Sequence, residues 1–122
     1  MILENRYVIA VRDLNVSAAF YRDALGFEIR LLDDPGWQFF LRDGCMVMAG
    51  ECRDERPAAD IGNHSYFAYL QVDAIDADFA RARDAGAEFI KPLRDEPWGM
   101  REFGLRTPDG HRIMFGQEIP PS

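Results

Sequence analysis

The sequence is poor in cysteine, and the cysteines it has do not form a motif. Cys45 and Cys52 are the only two in 122 residues, and they lie too far apart for a Cys-x-x-Cys pair. Neither a disulfide framework nor a thioredoxin-like redox pair is therefore indicated. We expect both thiols to be reduced, and we expect Cys45, on a predicted strand, to be a small core residue.

Long apolar runs are absent as well. No run approaches the roughly 20 residues that a membrane-spanning helix needs, and the first residues lack the basic and then apolar layout of a signal peptide. We therefore expect a cytoplasmic protein without a membrane partner. Hydrophobic residues nevertheless make up 48% of the chain, which argues against disorder and suffices for the core of a single domain.

Basic residues are outnumbered by acidic ones. The chain has 14 basic residues, 13 of them arginines, against 21 aspartates and glutamates, which gives a net charge of −7. Such an excess of negative charge argues against nucleic acid and anionic membranes as partners. It is compatible with a cationic ligand, although it equally serves solubility.

Familiar catalytic motifs are also missing. Ser17 falls at the start of a predicted helix, and Ser65 lacks the Gly-x-Ser-x-Gly setting of a nucleophile. No glycine-rich phosphate-binding loop occurs. The adjacent acids Asp33-Asp34 and Asp95-Glu96 lie in predicted turns, where we expect them to be exposed. The sequence therefore assigns no catalytic residue.

What the sequence does contain is a strand–helix–strand–strand–strand pattern in its first half. Asn15 is a candidate N-cap of the helix, and Gly26 is a suitable residue to end it. The predicted elements are a strand at 6–11, a helix that ends before Gly26, a strand at 27–32, and a hairpin at 37–41 and 45–49 that turns at Asp43-Gly44.

The same pattern returns in the second half. Its predicted elements are a strand at 66–72, a helix up to Gly86, a strand at 88–90, a loop at 91–97, and a hairpin that turns at Pro108-Asp109-Gly110. Asp73 and Asp76 are candidate caps of the helix. The spacing from Asp13 to Gly26 recurs from Asp73 to Gly86, which indicates an internal repeat. We divide the single domain into module 1 (1–50), a linker (51–63) and module 2 (64–119).

Two stretches of the chain resemble the vicinal oxygen chelate superfamily, which includes glyoxalase I, extradiol dioxygenases and the bleomycin resistance proteins. They are Val11-Arg12-Asp13-Leu14 with Ala19-Phe20-Tyr21-Arg22-Asp23-Ala24-Leu25-Gly26-Phe27, and Pro97-Trp98-Gly99 with Arg101-Glu102-Phe103 and Pro108-Asp109-Gly110-His111. The second stretch looks most like the bleomycin resistance branch. The resemblance implies an α+β fold of two βαβββ modules, whose curved half-barrel sheets enclose a cleft.

In the metal enzymes of this superfamily, the first and last strands of each module supply His, Gln or Glu ligands. Counting from the matched motifs places Arg6, Phe67, Met48 and Met114 at these positions. An arginine head about 5 Å from a divalent cation costs roughly 7 kcal/mol at an effective dielectric of about 20, and phenyl and thioether groups offer a hard cation no ligand. We therefore predict no metal and no other cofactor.

The resemblance then favours a metal-free protein that binds a small molecule. Bleomycin resistance proteins are dimers with acidic, aromatic-lined crevices that sequester a cationic drug, so we expect a homodimer that holds a cationic or aromatic compound. The expected ligand-binding residues are Trp37, Phe39, Met48, Phe67, Tyr69, Trp98, Glu102 and Met114. By strand alternation Phe67 and Tyr69 share the cleft face with the two methionines, and Glu102, Asp33 and Asp34 supply negative charge.

Two other readings stay open at this point. One is a metal-dependent isomerase, lyase or dioxygenase of the same superfamily with displaced ligands, for which His64, Glu51 and Glu118 are candidates. The other is a subunit that only packs against other proteins. An aromatic stripe in so small a domain also serves simply as core.

Overall fold

Two four-stranded sheets, each covered on one face by a helix, make up the protein. The computed structural model describes residues 1–62 and 66–120. The elements are β1 (Tyr7–Val11), α1 (Leu14–Leu25), β2 (Glu28–Leu31), β3 (Trp37–Arg42), β4 (Cys45–Glu51), a short 3-10 helix (Ala58–Ile61), β5 (Tyr66–Gln71), α2 (Ile75–Asp84), β6 (Glu88–Asp95), β7 (Met100–Arg106) and β8 (Arg112–Glu118). The predicted α+β fold of two βαβββ repeats is thereby confirmed.

The two sheets have the same topology. The first has the strand order β1-β4-β3-β2, and the second has the order β5-β8-β7-β6. In each, the first strand of the repeat runs parallel to the last, and the remaining pairs are antiparallel hairpin neighbours. Helix α1 packs on the first sheet and α2 on the second. We call the face of each sheet without a helix its open face.

Helix α1 begins two residues earlier than its predicted cap requires. Its N-cap is Asp13, whose carboxylate accepts a hydrogen bond from the Val16 amide at 3.1 Å, so the assignment of Asn15 was wrong. Gly26 ends the helix with a φ of 75°, as predicted. Among the described residues, neither helix has the length and apolar character that a membrane crossing needs.

The first amide of each helix also donates to a side chain near the end of the last strand of the same repeat. The Leu14 amide donates to Glu51 Oε2 at 3.0 Å, and the Ile75 amide donates to Gln117 Oε1 at 2.8 Å. The N-cap position of α2 is Ala74, which has no side-chain cap, and therefore neither Asp73 nor Asp76 caps it as predicted. These paired caps fix the correspondence between the repeats at the point where each helix begins.

The core lies between the sheets and their helices. Its largest fully buried side chains include Tyr21, Phe40, Phe103 and Phe115. The Phe103 and Phe115 rings stack with centroids 4.9 Å apart, and Tyr21 and Phe40 are 4.6 Å apart. Cys45 is half-buried and packs against this core, and neither cysteine forms a disulfide.

The two modules meet at a seam, which we define by the contacts that α1, β1 and the β3–β4 turn make with module 2. Helices α1 and α2 pack on each other, and the Arg42 guanidinium lies 2.8 Å from an Asp78 oxygen. At the other end of the seam the Ser17 hydroxyl donates to Asp109 at 3.3 Å. The buried residues of both modules therefore form one continuous core.

Strand β6 is longer than the sequence indicates. It runs from Glu88 to Asp95 through Pro92, with register irregularities on both sides of Lys91. Proline is tolerated there because β6 is an edge strand and its pairing with β7 is irregular between Lys91 and Arg94. The loop predicted at 91–97 was therefore wrong for residues 91–95, and the extension brings Lys91 over the second sheet.

Candidate functional site

A buried carboxylate with three donors lies on the open face of the second sheet. Glu102, on β7, is only 5% exposed. Its Oε1 accepts a hydrogen bond from Lys91 Nζ at 2.6 Å. Its Oε2 accepts from the Tyr69 hydroxyl at 2.6 Å and from the Trp98 indole nitrogen at 3.2 Å. We call Tyr69, Lys91, Trp98 and Glu102 the Glu102 cluster.

A second carboxylate extends this cluster. Lys91 Nζ lies 3.2 Å from Oε1 of Glu96, and the Arg94 guanidinium hydrogen-bonds the same oxygen. Two cations thus match two carboxylates, and the group as a whole carries no net charge. Lys91 Nζ also lies 5.2 Å from the centre of the Trp98 ring, within cation–π range.

Both carboxylates are held in their ionised form. Burial acts to raise the pKa of Glu102, but the hydrogen bonds from Lys91, Tyr69 and Trp98 outweigh it, so the pKa lies below its ordinary value. The hydrogen bond from Arg94 lowers the pKa of Glu96 in the same way. Burial and the hydrogen bond to Glu102 together raise the pKa of Tyr69. At neutral pH the Tyr69 hydroxyl is therefore a donor and Glu102 an acceptor.

The Tyr69 hydroxyl reaches Glu102 because it crosses a glycine. A Cβ atom at Gly116 would lie 1.9 Å from the Tyr69 hydroxyl, which no structure allows. The equivalent glycine of the first sheet, Gly50, has the same function, since a Cβ there would lie 2.8 Å from the Trp37 ring. On both open faces a glycine of the last strand therefore leaves the space that an aromatic side chain occupies.

Strand register places the predicted residues of the second sheet together. Tyr69 pairs with Met114, Met114 pairs with Gly104, and Glu102 pairs with Gly116, so all of them share one face. Trp98 lies in the tight turn between β6 and β7, which the Gly99 amide closes on the Glu96 carbonyl at 3.1 Å. Tyr69 and Trp98 both remain accessible in part, since the two residues are 48% and 61% exposed.

A second predicted group lies on the open face of the first sheet. Phe39 pairs with Met48, and Trp37 pairs with Gly50, which places the three predicted side chains on one face. The Arg6 guanidinium lies 5.3 Å from the centre of the Phe39 ring and forms an ion pair with Glu4. Within the described residues, no hydrogen bond or ring contact joins this group to the Glu102 cluster.

Phe67 lies elsewhere. The ladder between β5 and β8 is irregular between Tyr66 and Ala68, and Phe67 is the residue at that irregularity. Its ring makes edge contacts with Tyr7 at 6.1 Å and with His111 at 5.8 Å. Because a bulge interrupts the alternation of side chains, Phe67 packs at the seam and not beside Tyr69.

The positions where relatives hold a metal do not suit one here. Arg6 is paired with Glu4, Phe67 packs at the seam, and Met48 and Met114 offer thioethers. In residues 1–62 and 66–120 no group of three or more His, Cys, Asp or Glu side chains is arranged to hold a metal ion. Of the alternative ligand set, Glu51 caps α1 and pairs with Arg53, and His64 lies outside the described residues.

Sequence patterns did not identify Lys91 and Glu96 as parts of this site. Both fall in the predicted loop at 91–97. Periodicity gives no sign that β6 continues through Pro92, and Glu96 lies in the turn just after the strand. The one available signal was that Lys91 is the only lysine among 14 basic residues. Each carboxylate of this arrangement is already paired with a cation of the chain, so the arrangement is suited to positioning aromatic rings.

The sequence of residues 5–115 matches the family model of the Glyoxalase/Bleomycin resistance protein/Dioxygenase superfamily. The chain belongs to this superfamily. An uncharacterized protein of Mycobacterium bovis is 32% identical to it over 84 residues. That match covers 69% of the chain and 54% of the relative, so the chain spans about half the length of the curated relatives it matches.

Solved structures of other proteins share this fold. TioX from Micromonospora sp. ML1 superposes with a TM-score of 0.78 at 23% identity, over 95% of this chain and 98% of TioX. TnmS3, an antibiotic binding protein from Streptomyces sp. CB03234, gives a TM-score of 0.75 at 23% identity, over 97% of each chain. At this level of identity the likeness shows the fold alone.

Proposed function

We propose that this protein binds and sequesters a small organic molecule without a metal ion. Aromatic side chains of the protein stack on a flat aromatic ring of that molecule. The observation that carries the proposal is the Glu102 cluster. A buried carboxylate orients the Tyr69 hydroxyl and the Trp98 indole, while both residues remain partly exposed. Rigid aromatic side chains with their polar ends already satisfied bind flat ligands at a low cost in conformational entropy.

Charge has a smaller role in this proposal than stacking. Glu102 is bonded to Lys91, and Glu96 is bonded to both Lys91 and Arg94, so neither carboxylate is free to pair with a ligand cation. A cationic compound still gains from long-range attraction to a chain of net charge −7. We therefore infer that the aromatic ring is what the site recognises, and that positive charge aids its approach.

We further propose that a second copy of the chain completes the cleft. The open faces expose large apolar and aromatic residues, as protein–protein interaction surfaces do. Val8 is 64% and Trp37 is 37% exposed on the first sheet, and Tyr69 and Trp98 are exposed on the second. Trp37, Phe39 and Met48 would then supply a further wall of the ligand site. Sedimentation of the wild type and of Val8→Asp tests this, since the charged variant is expected to shift toward the monomer.

The likeness to an antibiotic binding protein suggests the first ligand to try. Bleomycin, both metal-free and copper-loaded, is titrated by calorimetry into the purified protein. Trp98→Ala is expected to weaken binding about tenfold or more, because one stacking face is lost. No heat of binding at about 500 µM ligand would reject bleomycin as the ligand.

A matched pair of tyrosine variants tests the site independently of the drug's identity. Tyr69→Phe removes the hydrogen bond to Glu102, whereas Tyr66→Phe removes a hydroxyl whose partner is Arg112 at 3.4 Å. The two tyrosines lie on the same strand with similar exposure, at 48% and 46%. Weaker ligand binding in Tyr69→Phe alone supports the Glu102 cluster as the site, and equal effects argue against it.

A further inference from the structure

A cavity of about 570 Å³ opens at the seam, between the β3–β4 turn and the end of β5. Both modules line it: module 1 contributes Phe27, Arg42 and Asp43, and module 2 contributes Val72 and Asp73 among others. Its volume falls within the range of small-molecule sites, which is roughly 300–1,000 Å³. The cavity is therefore large enough for a ligand of moderate size.

The internal repeat shows what fills the equivalent position at the other end of the seam. There the Asp109 carboxylate, in the β7–β8 turn, is 4% exposed. It accepts hydrogen bonds from the Arg12 amide at 3.1 Å, the Arg12 guanidinium at 3.2 Å and the Ser17 hydroxyl at 3.3 Å. Ala59 of the linker packs on this turn, with its amide donating to the Asp109 carbonyl at 3.0 Å. At this end of the seam the chain itself therefore supplies the cation that pairs with the aspartate.

The correspondence between the repeats identifies the equivalent residues at the seam cavity. Because both helices begin at paired caps, Arg12 corresponds to Asp73 and Ser17 to Asp78. The hairpin glycines place Asp43 opposite Asp109. Asp73 therefore occupies the position that Arg12 occupies at the other end of the seam.

This exchange leaves two carboxylates at the cavity without a cation. Arg42 also lines the cavity, but its guanidinium is already bonded to Asp78 at 2.8 Å and to the Leu25 carbonyl at 3.0 Å. Asp43 and Asp73 are exposed, and neither side chain has a hydrogen bond or ion pair within the described part of the chain. The charged residues that line the cavity are one arginine and two aspartates, so the lining favours a cation.

We propose that the seam cavity binds a small molecule with a guanidinium, amidinium or primary ammonium group on an apolar body. The cationic group lies between Asp43 and Asp73, in the place that the Arg12 guanidinium takes beside Asp109. The apolar body packs on Phe27, Leu70 and Val72, which line the same cavity. Tyr69 borders both this cavity and the Glu102 cluster. The two sites are otherwise separate, because Lys91, Trp98 and Glu102 do not line the cavity.

The probes are hexylguanidinium and its neutral counterpart hexylurea, each titrated by calorimetry into the whole chain. The cation is expected to bind with a dissociation constant of about 0.1–1 mM, as is usual for a ligand of this size, and the urea at least fivefold more weakly. Asp43→Asn and Asp73→Asn are each expected to weaken binding of the cation roughly threefold to fivefold. Asp54→Asn, an exposed carboxylate of the linker, is the matched control and is expected to leave binding unchanged.

One further variant uses the repeat directly. Asp73→Arg introduces at the cavity the arginine that Arg12 supplies at the other end of the seam. This variant is expected to abolish binding of hexylguanidinium and to raise the Tm, because the new guanidinium can pair with Asp43. Trp98→Ala is expected to leave this binding unchanged. The proposal is overturned if the cation fails to bind at about 5 mM, if hexylurea binds as tightly, or if the Asp43 and Asp73 variants bind like the wild type.

Discussion

The Tyr69 hydroxyl and Glu102 Oε2 lie 2.6 Å apart, on strands that are separated by β8. The tyrosine spans that intervening strand because Gly116 has no side chain in its path. A single hydrogen bond between distant positions of the chain thus decides how the aromatic surface of the second sheet is presented. Three of the predictions below follow from this relationship or from its neighbours.

Gly116→Ala is expected to displace Tyr69 from Glu102. The added methyl would occupy the space of the hydroxyl, and overpacking of this kind costs roughly 1–3 kcal/mol in the free energy of unfolding. Gly44→Ala is the matched control, because a Cβ there meets nothing within 4 Å. Urea unfolding of both variants checks the prediction, and an unchanged midpoint in Gly116→Ala would contradict it.

Glu102→Gln is expected to destabilise the protein and to weaken ligand binding. The amide keeps the shape of the side chain but loses its charge, so that partly buried Lys91 retains only Glu96 as a partner and one donor of the cluster is left unsatisfied. We expect a loss of about 1–3 kcal/mol in the free energy of unfolding. Glu88→Gln, an exposed carboxylate on β6, should change little. Equal unfolding midpoints for both variants would mean that the charge of Glu102 does not stabilise the protein.

The stability of the protein should depend on pH through His111. Burial lowers the pKa of this histidine, and the nearby Asp109 opposes the shift only in part. The unfolded chain therefore binds the proton more readily, so stability is complete above the ordinary histidine pKa of about 6.5 and declines as the pH falls below it. We expect His111→Asn to be less sensitive between pH 7.5 and 5.5 in urea unfolding than the wild type. Parallel curves would assign the pH dependence to other groups.

Metal content separates the proposed binding protein from an enzyme of the same superfamily. The positions Arg6, Met48, Phe67 and Met114 lack the oxygen and imidazole donors that hard divalent ions prefer. Protein purified without chelators is therefore expected to carry far less than one equivalent of nickel, zinc, manganese or iron by elemental analysis. A stoichiometric amount of any of these ions would support the alternative of a metal enzyme with displaced ligands.

Alternation along regular strands was enough to bring part of the site together in advance. Tyr69 and Met114 lie on neighbouring strands, and the period of two residues places them on one face, as predicted. Glu102 lies on the same face, although the sequence suggested it only as a source of negative charge. Phe67 is on the same strand as Tyr69, and counting alone gave it the same face. A bulge at Phe67 breaks that count, and a bulge has no reliable mark in a single sequence.

Other features depend on partners far away in the chain. The cap of α2 is Gln117, which is 42 residues from the Ile75 amide that it accepts from, so local capping rules pointed to Asp73 and Asp76 instead. Lys91 was assigned to a loop because Pro92 follows it, although an edge strand tolerates the proline. Contacts of this range arise from tertiary packing, which residue propensities do not encode.

The most direct test of the central claim uses the two tryptophans of the chain, Trp37 and Trp98. Their indole N–H groups give two signals in a ¹⁵N–¹H correlation spectrum, which Trp37→Phe assigns. On titration with metal-free bleomycin we expect the Trp98 signal to move along the binding curve measured by calorimetry, since its ring faces the ligand while its N–H stays on Glu102. Measurable binding that leaves the Trp98 signal unmoved would contradict the account.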